Sequence, residues 1–346
     1  MKWFDRAPAD AERAIAGWLA AEGEPAYRVR QIQPRLWSRP VASWHDATDL
    51  PHELIARLER DMPVPRLEEA AKQVSRDGTV KFLWRLADGA SIESVYIPEG
   101  RRRTLCISSQ VGCAFGCLFC ATGRMGFGRH LEPSEIAAQV REVLLDPALE
   151  RPTNVVFMGM GEPLHNWVSV NVALSILNDP RGIGLGARHI TVSTVGVVPG
   201  LERLARRPEQ FSVALSLHAP TTAQRGAMMP VERKWPIPQV IAALKAFPRR
   251  VTFEYVMIRG HNDADADADE LARLAREVGA HVNLLPLHPG GTPGFEPAPA
   301  ERITAFAERL RGRGVNVTVR RSRGLDINAA CGQLRVAVER RRVGAK

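Results

Sequence analysis

Apolar positions recur at helical spacing in three blocks of the first 75 residues: Ala9 to Ala21, Ala26 to Trp37 and Pro51 to Arg60. This region is expected to be helical. From Val80 to Pro98 the period changes to two, and Asp88-Gly89 sits between two β-type runs, which predicts a hairpin. After residue 104, short β-branched runs alternate with amphipathic stretches. Strands are expected at Leu105 to Ser109, Asn154 to Met158, His189 to Ser193, Phe211 to Leu217, Val251 to Ile258 and His281 to Pro286. Helices are expected between them, and a last helix (Pro299 to Arg311) and strand (Val315 to Arg320) follow. Such alternation means a parallel sheet with crossover helices. The expected fold class is α/β: a partial (β/α)6 barrel, open on one side, with a small helical N-terminal domain (1–77) and a connecting β-hairpin (78–103) before the core (104–346). In barrels of this type the chemistry gathers at the C-terminal ends of the strands.

The unusual residues lie at those ends. Cys113, Cys117 and Cys120 fall within eight residues of a glycine-rich loop after the first core strand. Three thiolates so close do not make a disulfide framework but do make a metal centre. Three ligands where a cuboidal cluster takes four leave one iron open. The competing reading is structural zinc with His130 as fourth ligand. It is the weaker one, because zinc sites usually use two spaced pairs. After the second strand, Gly159-Met160-Gly161-Glu162 bares the backbone and then offers a carboxylate. Ser193 follows the third strand, and Ser216-Leu217-His218 the fourth. His288 follows the sixth. Taken alone, a histidine such as His218 is more often a core or capping residue than a ligand.

Composition changes this picture little. Apolar content is 45%, ordinary for a globular chain, and no run of residues is apolar enough to span a membrane. The first residues carry charge and no apolar signal core, so a cytoplasmic protein is expected. The net charge of +9 suggests a polyanionic partner such as RNA, although an arginine-rich genome gives the same bias. Arg101 to Arg103, just before the cysteine strand, and Arg320, Arg321 and Arg323 are the better-placed clusters. The basic segment Tyr27 to Ile32 is expected either to touch RNA or to serve as a packing cap. Of the five cysteines, Cys106 and Cys331 remain outside the triplet. In a reducing compartment they read as reactive thiols.

The spacing C-x3-C-x2-C is that of the radical S-adenosylmethionine (SAM) enzymes, in which the open iron binds the amino and carboxylate groups of SAM. With Ser108-Ser109-Gln110-Val111-Gly112-Cys113, Phe119 to Gly123, Gly159 to Asn166, Glu254-Tyr255, Asn262-Asp263 and Gly324 to Leu334, the chain resembles the radical-SAM RNA adenosine methyltransferases, the RlmN/Cfr group. The resemblance implies a [4Fe-4S] cluster on Cys113, Cys117 and Cys120. It implies two SAM molecules per turnover, contacted by Gly161, Glu162, Ser193, Ser216, Leu217, His218 and, at a position where relatives usually carry Asn, His288. It implies that Cys331 takes a methyl group from one SAM. A 5′-deoxyadenosyl radical from the second then removes hydrogen from that S-methyl group. The carbon radical adds to adenine, leaving enzyme and RNA joined. Cys106 helps to resolve the adduct, ending in a Cys106–Cys331 disulfide. Glu93 is implied as the proton acceptor, with Arg103 expected beside it.

The substrate so implied is adenosine C2 in 23S rRNA, and tRNA beside the anticodon. Methylation at C8 and a non-catalytic iron–sulfur RNA-binding protein are the alternatives. A flavodoxin-type electron donor is expected by analogy. A monomer is the default expectation, since nothing in the sequence sets the oligomeric state.

Overall fold

The computed structural model describes residues 2–249, 251–288, 294–320 and 323–327. Three helices open the chain: α1 (Pro8–Ala21), α2 (Val29–Leu36) and α3 (His52–Asp61). Proline at the first turn of α1 presets φ where no intrahelical N–H partner is lost. Strands β1 (Glu68–Val74), β2 (Val80–Arg85), β3 (Ser91–Glu99) and β4 (Arg102–Cys106) then form an antiparallel meander. The short pair β5 (Gln110–Gly112) and β6 (Phe127–His130) brackets the cysteine loop, which also holds a single turn, α4 (Ala121–Arg124).

The core continues through α5 (Pro133–Leu145), β7 (Asn154–Phe157), α6 (Trp167–Asn178), β8 (Ile190–Thr194) and α7 (Val198–Ala205). Next come β9 (Ser212–Ser216), α8 (Thr222–Met228), α9 (Ile237–Lys245), β10 (Val251–Met257), α10 (Asp265–Val278), β11 (His281–Pro286), α11 (Ala300–Gly312) and β12 (Val317–Val319). One sheet runs β1-β2-β3-β4-β7-β8-β9-β10-β11-β12, parallel from β4 onward. The six expected parallel strands are all present. The Asp-Ala run opens α10, where Asp267 accepts the N–H of Ala264 at 2.9 Å and complements the helix dipole. Among the described residues no helix is long and apolar enough to cross a membrane.

Two expectations change. Residues 68–74 are a strand, not the end of the helical region. Glu68-Glu-Ala-Ala-Lys-Gln-Val has no strand alternation of its own; as an edge strand it is dictated by the ladder with β2 and carries a bulge between Glu69 and Ala71. The arginines at 101–103 lie at the N-terminal end of β4, the end away from the cysteine loop. Arg103 donates to Glu150 and to the carbonyl of Gly100, so it is not beside Glu93.

The sheet is curled. The backbone N–H of Gly324 and the side chain of Arg323, just after β12, bond Asp77 and Glu99, on the β1–β2 turn and β3. In a flat sheet, seven strand spacings from β3 to β12 would separate them by about 34 Å. The three residues from Arg320 to Arg323 reach only about 11 Å. The two edges therefore face one another across an open seam.

Strand alternation splits the sheet into two surfaces. Val155, Phe157, Val192, Val213, Leu215, Phe253, Tyr255, Val282 and Leu284 are buried in the main core, which helices cover. Their alternates line the concave side and include the polar Thr191, Ser193, Ser212, Ser216, Glu254 and Asn283 beside Val156 and Ala214. The N-terminal helices join the same core, held to α5 by Arg141, which donates to the carbonyls of Pro65 at 2.8 Å and Val41 at 3.1 Å.

At the C-terminal ends of β8 and β9 sits the buried ion pair Arg225–Glu232. The Arg225 guanidinium also donates to the carbonyls of Val195 (2.5 Å), Leu217 (3.2 Å) and Ser216 (3.5 Å). Glu232 accepts the N–H of Ile237 at 2.8 Å. One cation thus ties three strand-end carbonyls to the turn after α8. Beside it, His218 holds a left-handed φ of 57°, rare for a side chain of this size. Its Nδ1 accepts the N–H of Val256 at 3.1 Å, and its carbonyl accepts from Asn262 at 2.7 Å. Burial, then the Arg225 charge, hold its pKa down at about 3.

Two expectations follow. Arg225→Met leaves Glu232 buried without its cation and is expected to cost about 3–5 kcal/mol of unfolding free energy, with part regained in Arg225→Met/Glu232→Leu; denaturant melts of both variants check this. For His218 the unfolded chain takes up a proton below its ordinary value of 6.5 and the folded chain does not. Its contribution is complete above 6.5 and is lost as pH falls toward 3. Melts between about pH 7 and pH 5 are expected to show this one group removing up to about 1.4 kcal/mol per pH unit. In His218→Asn the slope is expected to flatten, and an unchanged slope contradicts the assignment.

Candidate functional site

The cysteine loop leaves β5 at Gly112, whose φ of 72° and contact with the Gly126 carbonyl exclude any side chain: a Cβ there would lie 1.9 Å from that oxygen. Gly123 is equally pinned, since its Cβ would lie 2.9 Å from the Cys117 carbonyl. Inside this cradle, Cys113 donates its N–H to Gly126 (2.8 Å) and Cys120 to Cys117 (3.1 Å). The loop docks through Leu118 N–H to the Met228 carbonyl at the end of α8 (3.0 Å). It also packs on a second apolar cluster holding Cys117, Met228, Met229, Val256 and Leu287. The Phe119 ring lies edge-on to His218 at 4.8 Å.

Burial raises the Cys113 thiol to about 11, with the negative charges of Cys120 and Glu162 adding to it. Burial pushes Cys117 up further, reinforced by Cys120 and Cys113. Two thiols pushed up by burial and by neighbouring cysteines are a poor arrangement for bare thiolates. They become a good one when a positive metal core lies between them.

His130 is not part of this group. Its Nδ1 accepts from the Gln110 amide at 3.0 Å, as His165 Nδ1 does at 3.2 Å. Gln110 Oε1 takes the N–H of Glu162 at 2.8 Å, which orients the amide nitrogen toward both rings. Burial lowers the pKa of each histidine, so both act as neutral acceptors.

The loop after β7 presses against the segment after β4. A Cβ on Gly159 would meet Ile107 and Ser108 at 2.7 Å, and Gly161 (φ 95°) would meet Gln110 at 2.5 Å. Glu162 is buried, its oxygens accepting the N–H groups of Leu164 (3.0 Å) and Val195 (2.8 Å). Burial raises its pKa to about 7 despite the Val195 N–H, the Thr194 hydroxyl and the Leu164 N–H, which pull it down. A buried carboxyl held this high suits a cationic partner such as an ammonium group. Ser193 Oγ and Ser216 Oγ are 3.4 Å apart on the concave side. The Leu217 side chain belongs to the main core. Its N–H bonds Glu254 (3.1 Å) and its carbonyl takes Ala219 (2.8 Å) and Arg225 (3.2 Å), so its backbone is already committed. His288 follows β11 and is partly buried.

These residues fit a [4Fe-4S] cluster and SAM: a glycine-walled loop with three thiols, and next to it a buried acceptor in need of positive charge.

Glu93 and Cys106 come together. Register pairs Val95 with Cys106, so Glu93 and Cys106 point to the same concave side of β3 and β4. Both line one small cavity with Ser94, Val95, Gly159 and Met160. Ser108 Oγ donates to the Glu93 carbonyl at 2.6 Å. The ionic partner of Glu93 is Lys81 on β2, at 3.9 Å, with both side chains buried. Sequence reasoning missed Lys81, although a lysine inside Val80-Lys-Phe-Leu-Trp84 was a visible signal: a buried strand lysine needs a carboxylate across the ladder. It also missed Arg225 and Glu232. Cys106, Cys113, Cys117 and Cys120 are reduced. Cys331 lies outside the described residues.

The sequence profile of the radical SAM superfamily matches residues 107–275. The probable dual-specificity RNA methyltransferase RlmN of Gemmatimonas aurantiaca is 58% identical, over 94% of this chain and 91% of its own. The dual-specificity RNA methyltransferase RlmN of Anaeromyxobacter dehalogenans is 47% identical, over 93% and 90%. The crystal structure of a radical SAM methyltransferase from Sphaerobacter thermophilus superposes with a TM-score of 0.88 at 44% identity, over 96% of this chain and 98% of that one. The likeness runs the length of the chain and includes the cysteine loop and the concave face built above; the chain belongs to the RlmN family of radical SAM RNA methyltransferases.

Proposed function

We propose that this chain methylates C2 of adenosine in 23S rRNA and in tRNA beside the anticodon, in the cytoplasm, with a flavodoxin-type protein as electron donor. The observation that carries the reading is the shared cavity of Glu93 and Cys106, one loop away from the cysteine triplet and Glu162. A generic radical generator needs the triplet; it does not need a buried thiol and a buried carboxylate facing one recess.

Cys113, Cys117 and Cys120 would hold the [4Fe-4S] cluster; when bound, cluster and SAM together supply the methyl group and the hydrogen-abstracting radical, with two SAM molecules used per turnover. Glu162 would receive the SAM ammonium, and Ser193, Ser216, His218 and His288 would line the rest of the pocket, with Leu217 behind them in the core. His218 is a poor charge carrier, since its low pKa keeps it neutral, and its Nδ1 is occupied by Val256. With Nδ1 accepting, the ring proton sits on Nε2, which serves as a donor.

Cys331 carries the methyl carbon that becomes attached to the base. Glu93 accepts the proton leaving C2, with the Lys81 ammonium stabilising its ionised form. After one-electron oxidation of the adduct, which the bound cluster would make possible, the Cys106 thiolate attacks the Cys331 sulfur and breaks its bond to the methylene carbon. That carbon keeps the electron pair and takes up a proton to become the methyl group, and the two sulfurs are left as a disulfide that external thiol reduces. The N-terminal segment 1–77, with Tyr27 and Arg30 exposed on its surface, is assigned to RNA contact.

The test is nuclease digestion of RNA treated with the reconstituted enzyme, followed by mass spectrometry against methyladenosine standards. 2-Methyladenosine is expected; 8-methyladenosine or no methylated base overturns the assignment. Cys331→Ala is expected to give no product. Cys106→Ala is expected to accumulate a protein–RNA conjugate visible on a denaturing gel, and clean turnover by that variant would sink the role of Cys106. Glu93→Gln is expected to slow turnover by about 10²-fold or more, the usual worth of a positioned base, while SAM is still cleaved.

A further inference from the structure

The segment that leads to Cys331 is fastened at a place far from the strand that precedes it. Asp326 accepts from Ser75 Oγ at 2.5 Å and from the Arg76 N–H at 3.1 Å. In return Asp77 accepts the N–H of Gly324 at 3.0 Å. Arg323 pairs with Glu99 at 2.9 Å. The two carboxylates are exchanged: each turn places an aspartate on the backbone of the other. Asp77 is held low, at about 2, because the Gly324 N–H, the Thr79 and Ser75 hydroxyls and the Thr79 N–H outweigh its burial. Asp326 is lowered by Ser75, then by the Arg76 N–H. Such hydrogen bonds to an ionised acceptor are stronger than neutral ones.

We propose that Asp77 and Asp326 are positioning residues: their reciprocal latch fastens the stem of the C-terminal segment to the β1–β2 turn and so delivers Cys331 to the Glu93–Cys106 cavity. The proposal rests on the reading of Cys331 and Cys106 as the reacting pair.

The distances agree. The β1–β2 turn abuts the end of β3 around Tyr96, since Val80 pairs with Tyr96. From Tyr96 to Glu93 is three strand residues, about 10 Å. From Ile327, the last described residue beyond the latch, to Cys331 is four residues, which reach at most about 14 Å. Without the two aspartates the nearest described anchor is Arg323, paired with Glu99 at 2.9 Å, eight residues from Cys331. Effective concentration falls roughly as the −3/2 power of tether length, so shortening the free tether from eight residues to four raises it about threefold. The direction of the chain contributes as well. β12 lies at one edge of the sheet and the cavity between β3 and β4 near the other, and the latch holds residues 323–327 on the far side of the seam.

The latch can be read without RNA and without turnover. Holoenzyme is equilibrated anaerobically in glutathione buffers of graded ratio, and the Cys106–Cys331 peptide is quantified by mapping. In this exchange two protein thiols become a disulfide as one oxidised glutathione becomes two reduced ones, so the equilibrium constant is the effective concentration of the pair. Asp77→Ala/Asp326→Ala is expected to lower it about threefold or more, and Asp326→Asn, which keeps one acceptor, to fall between. A double variant that melts like the parent and stays within twofold of its effective concentration overturns the proposal. If the parent forms no Cys106–Cys331 disulfide at any ratio, the assignment of the reacting pair has failed instead. The latch is then judged by amide hydrogen exchange at Arg76 and Gly324, which must speed up in the double variant; unchanged exchange overturns it.

Discussion

A single buried guanidinium, that of Arg225, carries the arrangement of the site. A parallel sheet presents its strand ends as carbonyls with no ladder partner, and at a buried site those carbonyls need donors. Arg225 serves Val195, Ser216 and Leu217 at once and is itself neutralised by Glu232. Because its charge is committed, Arg225 has little left to compensate the nearby acids. Its pull on Cys117 is small beside the effect of burial. Glu162 accepts the N–H of Val195, whose carbonyl Arg225 holds, and burial raises its pKa even though three donors address it. The pocket is rigid and short of positive charge. That is the condition under which a cationic cofactor contributes most.

The strand alternation then divides the labour. On the helix side, apolar residues fill one continuous core from Trp3 to Val315. On the concave side stand Ser193, Ser216, Glu254 and Asn283 together with Cys106 and Val156. Lys81, Glu93 and Cys106 occupy adjacent strands of that surface, so the acid, its counter-ion and the thiol are held by backbone ladders and not by loops. The cysteine triplet, by contrast, is on a loop whose shape comes from glycines that tolerate no Cβ. The two halves meet at Gly159 and Met160, which touch the Glu93–Cys106 cavity on one side and lead to Glu162 on the other.

Much of this was legible in the sequence, and the failures share a cause. Cysteine spacing, hairpin chemistry at Asp88-Gly89 and the period change after residue 104 are local signals, and the corresponding elements stand where expected. What the sequence hid is pairing at long range. Lys81 and Glu93 are on different strands, and Arg225 meets carbonyls on two others. β1 is a strand only because β2 is beside it. Arg103 was associated with Glu93 through nearness in sequence, but strand direction puts its side chain at the opposite end of the meander from Glu93, beside Glu150.

The open seam gives these separate facts a common logic. A closed barrel would bury its concave face and admit no polymer. An open one admits RNA but leaves β12 and β1 as unpaired edges, an exposure that sheets otherwise suppress. Here the seam is bridged by side-chain-to-backbone bonds between the β1–β2 turn and residues 323–327, and not by a ladder. Bonds of that kind hold the two edges in register without sealing the space between them. They also fix residues 323–327 against the β1–β2 turn. Access for a large substrate and a fixed concave face make opposite demands on a barrel, and a latched seam meets both with a few residues.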